Sequence, residues 1–196
     1  MPMIRECIVT TLNEEGKVHI APLGLIVEPL GAEEGGFIIA PFRPSATLDN
    51  LRVTPYAVAN FTDDVLVFAG CLTGRKDWPT RPSTHVPGAV LEGALSHAEL
   101  AVEHVQEDEQ RPRFHCKVVF EASHAPFRGF NRAQGAVIEA AILASRLHML
   151  PREKIEHELG YLQIAVEKTA GPREHEAWRL IVEKIEDYFK HAHEPR

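Results

Sequence analysis

The stretch FRPSATLDNL, residues 42–51, decides the fold prediction because it joins a strand to a short helix. It directly follows the apolar run GFIIA at residues 36–40, which is typical of a strand. Its two leucines lie three residues apart, as they do on one face of a helix. The proline and the serine fit the first turn of that helix, where backbone N–H groups have no partner within the helix.

The start of this predicted helix carries groups that bind a phosphate. A helix N-terminus has a partial positive charge and unpaired donors. Arg43 adds a planar guanidinium group that can hold two phosphate oxygens at once, and Ser45 and Thr47 add hydroxyl groups. The alternative interpretation is an ordinary capped helix beside an exposed arginine.

Composition and charge narrow the class of protein. The chain has 196 residues, of which 44% are hydrophobic and 25% charged, the profile of a soluble globular protein with a proper core. No apolar run approaches the roughly 20 residues of a membrane helix, and the N-terminus lacks the layout of a secretory signal. A formal net charge of −7 argues against a general nucleic-acid binder. We therefore expect a cytoplasmic protein with no membrane or nucleic-acid partner.

The cysteines and histidines predict neither a disulfide framework nor a metal site. Cys7, Cys71 and Cys116 are odd in number, far apart and outside any Cys-x-x-Cys pair, which favours reduced thiols in the cytoplasm. Cys7 and Cys116 lie among strand-like residues and are interpreted as core packing. There are eleven histidines, but their spacing does not match that of metal ligands.

The first 125 residues read as short strands separated by turn signals. Residues 75–88 contain three prolines and are predicted to form an extended surface loop, and residues 31–36 a reversal. This punctuation is typical of an antiparallel barrel. The predicted strands are residues 4–12, 18–30, 36–40, 56–62, 65–69, 95–105 and 114–122.

After residue 125 the hydrophobic period becomes helical. Three helices are predicted, at residues 131–148, 153–168 and 174–190, with short connections that make them antiparallel neighbours. The predicted fold class is α+β: an antiparallel split β-barrel at residues 1–125, followed by a small helical bundle at residues 126–196.

Two further segments bear on function. In residues 18–25, VHIAPLGL, a proline and a glycine interrupt a strand, and the glycine allows a flat ligand to approach the backbone. The alternative is an edge strand with a bulge. In residues 126–132, PFRGFNR, Asn131 fits a helix N-cap, and Arg128 and Arg132 place cations where the helix dipole opposes them. They suggest an anion at that point, and the alternative is salt bridges to acidic residues.

Four segments in this order resemble the FMN-binding split-barrel flavoproteins related to flavin reductases. The most similar branch is a domain-of-unknown-function family found in methanogens and C1-metabolising bacteria. The resemblance covers almost the whole chain. The segments are IAPLG (20–24), FRPSATLDNL (42–51), ANFTDDV (59–65) and PFRGFNRA (126–133).

The resemblance implies a set of cofactor contacts. It puts the phosphate of FMN on Arg43, Ser45 and Thr47, with Asn50 close by, and the isoalloxazine ring against one strand's backbone. Related flavin reductases often have Asn at the position of His19, which leaves the ring and ribityl contacts open at this point. The implied ring contacts are His19, Ala21, Pro22, Leu23 and Gly24.

The resemblance also implies a homodimer with the flavin at the subunit interface and a small-molecule electron donor or acceptor. The leading hypothesis is an FMN-dependent oxidoreductase of unknown substrate, with no acid–base residue assigned. The loop with Trp78, Arg81 and His85 is a candidate substrate cover. The alternatives are a non-catalytic FMN-binding or assembly protein, and a split-barrel protein that has lost its flavin.

Overall fold

The structure is a computed structural model that describes residues 2–28 and 36–191. It separates into two compact units. The first contains the described residues of Met1–Thr62 and Asp77–Phe127, and the second those of Asp63–Lys76 and Arg128–Arg196. The reversal predicted at residues 31–36 lies, except for its last residue, outside the described residues.

The first unit is a closed antiparallel barrel, which confirms the predicted fold class. Its strands follow the order β1-β2-β3-β8-β7-β4 around the barrel, and β5 and β6 form a separate two-stranded sheet. A short helix, α1 (Ala46–Val53), lies between β3 and β4 in the chain. The strands are β1 (Ile4–Leu12), β2 (Val18–Val27), β3 (Gly36–Ile39), β4 (Tyr56–Phe61), β5 (Thr80–Pro82), β6 (Ala89–Leu91), β7 (Ser96–Gln106) and β8 (Arg113–Ser123).

The barrel core is built from small and medium-sized apolar side chains with one buried aromatic ring, Phe114. Cys7 and Cys116 belong to this core, as predicted. Burial raises the pKa of the Cys116 thiol to about 12 and that of Cys7 well above its usual range, so both thiols stay protonated. The core residues are Cys7, Val9, Leu25, Ile39, Leu48, Leu51, Ala57, Ala59, Ala98, Leu100, Phe114 and Cys116.

Strand β2 is paired fully on one side only. It pairs with β1 along its whole length, but with β3 only at Ile26 and Val27. Among the described residues, 18–25 have no strand partner on their second side. These residues are half-buried except for Leu25, which is buried. The ring of strands is therefore closed at Ile26 and Val27 only, and the rest of this edge of β2 is open among the described residues.

Two sequence-based predictions within residues 65–88 are wrong. The strand predicted at residues 65–69 is a helix, α2 (Val65–Thr73), which belongs to the second unit. Asp64 caps its first turn by accepting from the Leu66 N–H at 3.2 Å, and Gly74 ends it with φ +104°. The loop predicted at residues 75–88 contains β5 and is not simply a surface loop, since Trp78 and Val86 are buried.

The second unit is helical, and its three predicted C-terminal helices are confirmed to within a few residues. They are α3 (Arg132–Ser145), α4 (Arg152–Thr169) and α5 (Pro172–His191). Helix α3 packs against α2, α4 and α5 through a face rich in alanine, and Arg173 of α5 forms an ion pair with Asp64. No helix among the described residues is long and apolar enough to cross a membrane.

Candidate functional site

The N-terminus of α1 presents two unused backbone donors. Ser45 is the N-cap, and its Oγ accepts from the N–H of Leu48 at 3.3 Å. The N–H groups of Ala46 and Thr47 precede the first intrahelical bond and have no partner among the described residues. The predicted helix is thus confirmed, but it starts two residues later than expected, with Pro44 outside it and Ser45 as its N-cap.

Arg43 lies directly before this helix and faces a carboxylate. Its backbone N–H donates to the Gln110 carbonyl at 2.9 Å, which fixes the chain at this point. Its Nη2 lies 3.1 Å from Oε2 of Glu107, and its Nε donates to the Asp108 carbonyl at 3.4 Å. Nη2 of Arg52 lies 2.8 Å from the same Glu107 oxygen. Two guanidinium groups therefore share one carboxylate.

The other two predicted phosphate contacts are buried. Thr47 is 3% exposed and Asn50 is 7% exposed. The Asn50 amide donates to Oγ1 of Thr11 at 2.9 Å, which ties α1 to β1. The structure places Arg43 and Ala46 at the surface with Ser45 half-buried between them, whereas Thr47 and Asn50 are buried.

The predicted ring contacts lie on the half-paired strand β2. Pro22 lies opposite Ile8 of β1, and Gly24 lies opposite Glu6. A Cβ atom at Gly24 would lie 2.8 Å from Cγ2 of Ile4 and 2.9 Å from Oε1 of Glu6, both of which are ends of side chains. A side chain at Gly24 would therefore require the side chains of Ile4 and Glu6 to shift.

The predicted second anion segment falls at the start of α3. Asn131 is the N-cap, as predicted: its Oδ1 accepts from the Ala133 N–H at 2.8 Å, and its amide donates to the Thr169 carbonyl at 2.9 Å. Its polar atoms are therefore used within the helical unit. Arg128 and Arg132 are exposed and form no ion pair within residues 2–28 and 36–191. Arg132 lines a cavity of about 240 Å³.

A buried carboxylate inside the barrel unit was not predicted from the sequence. Glu99 on β7 is fully buried and accepts hydrogen bonds from three consecutive backbone N–H groups. The donors are Thr84 at 2.9 Å, His85 at 2.6 Å and Val86 at 2.9 Å, and the Thr84 hydroxyl adds a fourth bond at 3.1 Å. Burial alone would raise the pKa of Glu99, but these bonds outweigh it and lower the pKa.

Two histidines continue this cluster toward the surface. Nε2 of His97 lies 3.4 Å from Oε1 of Glu99, and its Nδ1 lies 2.8 Å from Nε2 of His124. Nη2 of Arg81 lies 3.0 Å from the same His124 nitrogen. Burial, Arg81 and His97 together lower the pKa of His124. The segment interpreted as a substrate cover is therefore fastened to the barrel at His85 and Arg81.

This barrel, open along part of β2 and followed by helices, has the fold of the flavin-reductase-like split-barrel proteins. The N-terminal domain model of DUF447, a family of unknown function, matches residues 5–125, and a second DUF447 model matches residues 131–183. The chain belongs to the DUF447 family. No curated protein matches the chain.

Solved structures with the same fold include flavoproteins. An FMN-bound DUF447 protein from Methanosarcina mazei aligns with a TM-score of 0.78 at 19% identity, over 94% of this chain and 96% of its own. The 2-nitrobenzoate 2-nitroreductase of Pseudomonas fluorescens aligns with 0.54 at 22% identity, over 63% and 66%. An FMN-binding protein from Thermus thermophilus with bound p-hydroxybenzaldehyde aligns with 0.51 at 21% identity, over 63% and 73%. These likenesses confirm the predicted fold.

Proposed function

We propose that this protein binds FMN and acts as an oxidoreductase of the flavin-reductase-like class. One observation carries the proposal: an arginine, an N-cap serine and two unpaired N–H groups converge before α1, a helix that packs against the strand with the free edge, β2. The FMN-bound family member from Methanosarcina mazei supports the choice of cofactor.

The phosphate of FMN fits the start of α1. A phosphate dianion accepts hydrogen bonds and needs several donors. The proposed donors are the guanidinium of Arg43, the hydroxyl of Ser45 and the N–H groups of Ala46 and Thr47. Asn50 has a positioning role, because its bond to Thr11 holds α1 against the barrel. The Thr47 hydroxyl is buried, so Thr47 contributes its backbone.

The isoalloxazine ring fits the free edge of β2. Backbone N–H and C=O groups on an unpaired strand edge complement the donors and acceptors of the ring's pyrimidine side. Pro22 removes one donor from the edge and Gly24 places no side chain there. When bound, FMN supplies hydride or electron transfer, and the protein orients the ring and shields it. The proposed ring contacts are His19, Ala21, Pro22, Leu23 and Gly24.

A homodimer with the flavin at its interface is part of this proposal. Four large apolar side chains on or beside β1 and α1 are exposed in the single chain. Exposed apolar surface of this kind marks interaction sites, and a second copy would cover it. These side chains are Met3, Ile4, Phe42 and Val53.

The remaining proposals concern location and a second anion contact. Free thiols at Cys7 and Cys116 fit a cytoplasmic protein. A small-molecule electron donor or acceptor is proposed from the flavin-reductase-like class. Arg128 and Arg132 are proposed to bind an anionic substrate group, whereas Asn131 only caps α3.

A non-catalytic FMN-binding or assembly role is the second candidate. The observation in its favour is that His19 is the only ionisable residue among the proposed ring contacts, so few side chains there could serve as an acid or a base. The two roles differ in turnover. An oxidoreductase has its bound flavin bleached by NADH, NADPH or a reduced deazaflavin and recoloured by an acceptor, whereas a binding module fails with every donor.

Flavin content tests the proposal directly. We expect purified protein to be yellow and the variant Arg43→Gln/Ser45→Gly to be largely colourless but folded. Glycine is a tolerated N-cap, so the helix is retained, and each lost charge-assisted bond costs about 1.5–3 kcal/mol of affinity. Arg179→Gln, which changes an exposed arginine of α5, is the matched control. Equal flavin content in all three proteins, or none in the wild type after incubation with FMN, contradicts the proposal.

A further inference from the structure

Glu107 accepts from two arginines that come from different parts of the α1 region. Its Oε2 lies 3.1 Å from Nη2 of Arg43 and 2.8 Å from Nη2 of Arg52, and its Oε1 lies 2.9 Å from the same Arg52 nitrogen. Both guanidinium groups thus donate to one oxygen atom. A single anion at this position can bind both of them at once.

The two arginines reach one point because of helix geometry. Arg52 follows the N-cap Ser45 by seven residues, so the two lie on the same face of α1. Helical side chains lean toward the N-terminus, which carries the Arg52 guanidinium back along that face. Arg43 lies two residues before the N-cap Ser45 and reaches the same Glu107 oxygen.

We infer that Arg52 is a second phosphate-binding residue and that the Glu107 carboxylate, which binds both guanidinium groups in this structure, competes with the cofactor phosphate for them. This inference rests on the proposed function. A phosphate monoester carries a charge of about −1.5 to −2 at pH 7 and offers three acceptor oxygens, whereas a carboxylate carries one charge. Two guanidinium groups therefore match the charge and the acceptor oxygens of a phosphate better than those of a carboxylate.

Because all three side chains are exposed, a phosphate can readily replace the Glu107 carboxylate at the arginines. The side chains of Arg43, Arg52 and Glu107 are 39%, 42% and 59% exposed. Ion pairs of this kind contribute little to stability because water and salt screen them. Replacing the carboxylate by a phosphate therefore costs little, and the displaced Glu107 side chain returns to solvent.

The neighbouring acidic side chain does not compete in the same way. The Asp108 carboxylate accepts from the backbone N–H groups of Gln110 at 2.8 Å and Arg111 at 2.7 Å, so it is used within its own turn. Glu107 is thus the carboxylate that sets how strongly the arginine pair prefers a phosphorylated flavin.

The test compares FMN with riboflavin, which lacks the phosphate, by titrating each against the protein and following flavin fluorescence. We expect Arg52→Gln to weaken FMN binding at least tenfold and to leave riboflavin binding unchanged. Arg52→Lys, which keeps the charge but not the planar fork, restores part of the loss. Glu107→Gln is expected to tighten FMN binding about threefold to tenfold, again without a change for riboflavin.

A matched pair on α5 provides the control. Arg179 and Glu183 form an exposed ion pair of the same kind, with Nη1 of the arginine 2.7 Å from Oε1 of the glutamate. Arg179→Gln and Glu183→Gln make the same changes of charge as Arg52→Gln and Glu107→Gln, and they should alter the affinity for neither FMN nor riboflavin. Circular dichroism and the thermal midpoint check that every variant is folded.

The outcomes separate this inference from the proposed function. If the wild type binds neither flavin, the proposed function itself fails. If the wild type binds FMN and Arg52→Gln binds it equally well, the second arginine is refuted while FMN binding stands. If Glu107→Gln weakens FMN binding as Arg52→Gln does, Glu107 orients the arginines and does not compete with the phosphate.

Discussion

Nε2 of His97 lies 3.4 Å from Oε1 of Glu99, and both side chains are almost completely buried in the barrel unit. The two residues are neighbours on the same face of β7, where alternate side chains point the same way. The carboxylate also accepts from the backbone of Thr84, His85 and Val86. A single side chain therefore joins β7 to the segment between β5 and β6.

Removing this carboxylate should destabilise the barrel. We expect Glu99→Ala to lower the free energy of unfolding by about 3 kcal/mol, because three backbone N–H groups, including that of buried Val86, lose their acceptor and a cavity replaces a buried side chain. Urea denaturation followed by circular dichroism measures the change. Glu103→Ala, at an exposed position of the same strand, is the control and should cost under about 1 kcal/mol. Equal losses in the two variants would refute the role of Glu99.

The same carboxylate should make stability depend on pH in the acid range. The pKa of Glu99 is lowered in the folded protein relative to its ordinary value of 4.5. The unfolded chain therefore binds the proton more readily, so the stabilisation is complete above pH 4.5 and is lost as the pH falls through the folded-state pKa. Thermal midpoints measured from pH 7 down to pH 3 should fall more steeply in the wild type than in Glu99→Gln. Parallel curves for the two proteins would argue against this assignment.

The variant Gly24→Ala should weaken flavin binding with little effect on the stability of the protein. The added Cβ meets only the ends of the Ile4 and Glu6 side chains, which can move, so we expect a stability change under about 1 kcal/mol. A methyl group beside a flat ring should weaken flavin binding at least severalfold, measured by fluorescence titration with FMN. Gly93→Ala, where a Cβ meets nothing within 4 Å, is the control. Unchanged FMN affinity in Gly24→Ala would contradict the placement of the isoalloxazine ring against this part of β2.

Thiol labelling should distinguish the cysteines. Cys7 and Cys116 are buried and their pKa values are raised by burial, whereas Cys71 of α2 is half-buried. Because the thiolate is the reactive form, an aromatic disulfide reagent at pH 8 should label Cys71 first in the native protein and all three cysteines in denaturant. Fast labelling of two or more thiols in the native protein would contradict the described core.

Sequence reasoning succeeded where the signal is local. The N-cap at Asn131 was predicted because a capping side chain and its helix are adjacent in the chain, whereas Ser45 was expected in the first turn and is the N-cap. It failed at residues 65–69, since a short buried apolar run has no period that distinguishes a strand from a helix. Asp64 before that run and Gly74 after it are capping signals that indicate a helix.

Side-chain contacts between residues far apart in the chain could not be predicted from the sequence. Glu99 lies thirteen to fifteen residues from its three backbone donors, and Glu107 lies 64 residues from Arg43 and 55 from Arg52. No spacing rule connects such positions, because strand register and barrel closure bring them together. Arg52 therefore looked like an ordinary basic residue in the last turn of a helix.

The sequence by itself determined the main barrel strands, the three C-terminal helices, the antiparallel barrel class and the polar start of α1, because hydrophobic period, turn residues and caps act over a few neighbouring residues. Only the tertiary structure decided that Thr47 and Asn50 face inward, that Glu99 is buried with its donors, and that two arginines share Glu107. Those facts depend on how strands close around a core, where each contact joins segments that are far apart in the chain.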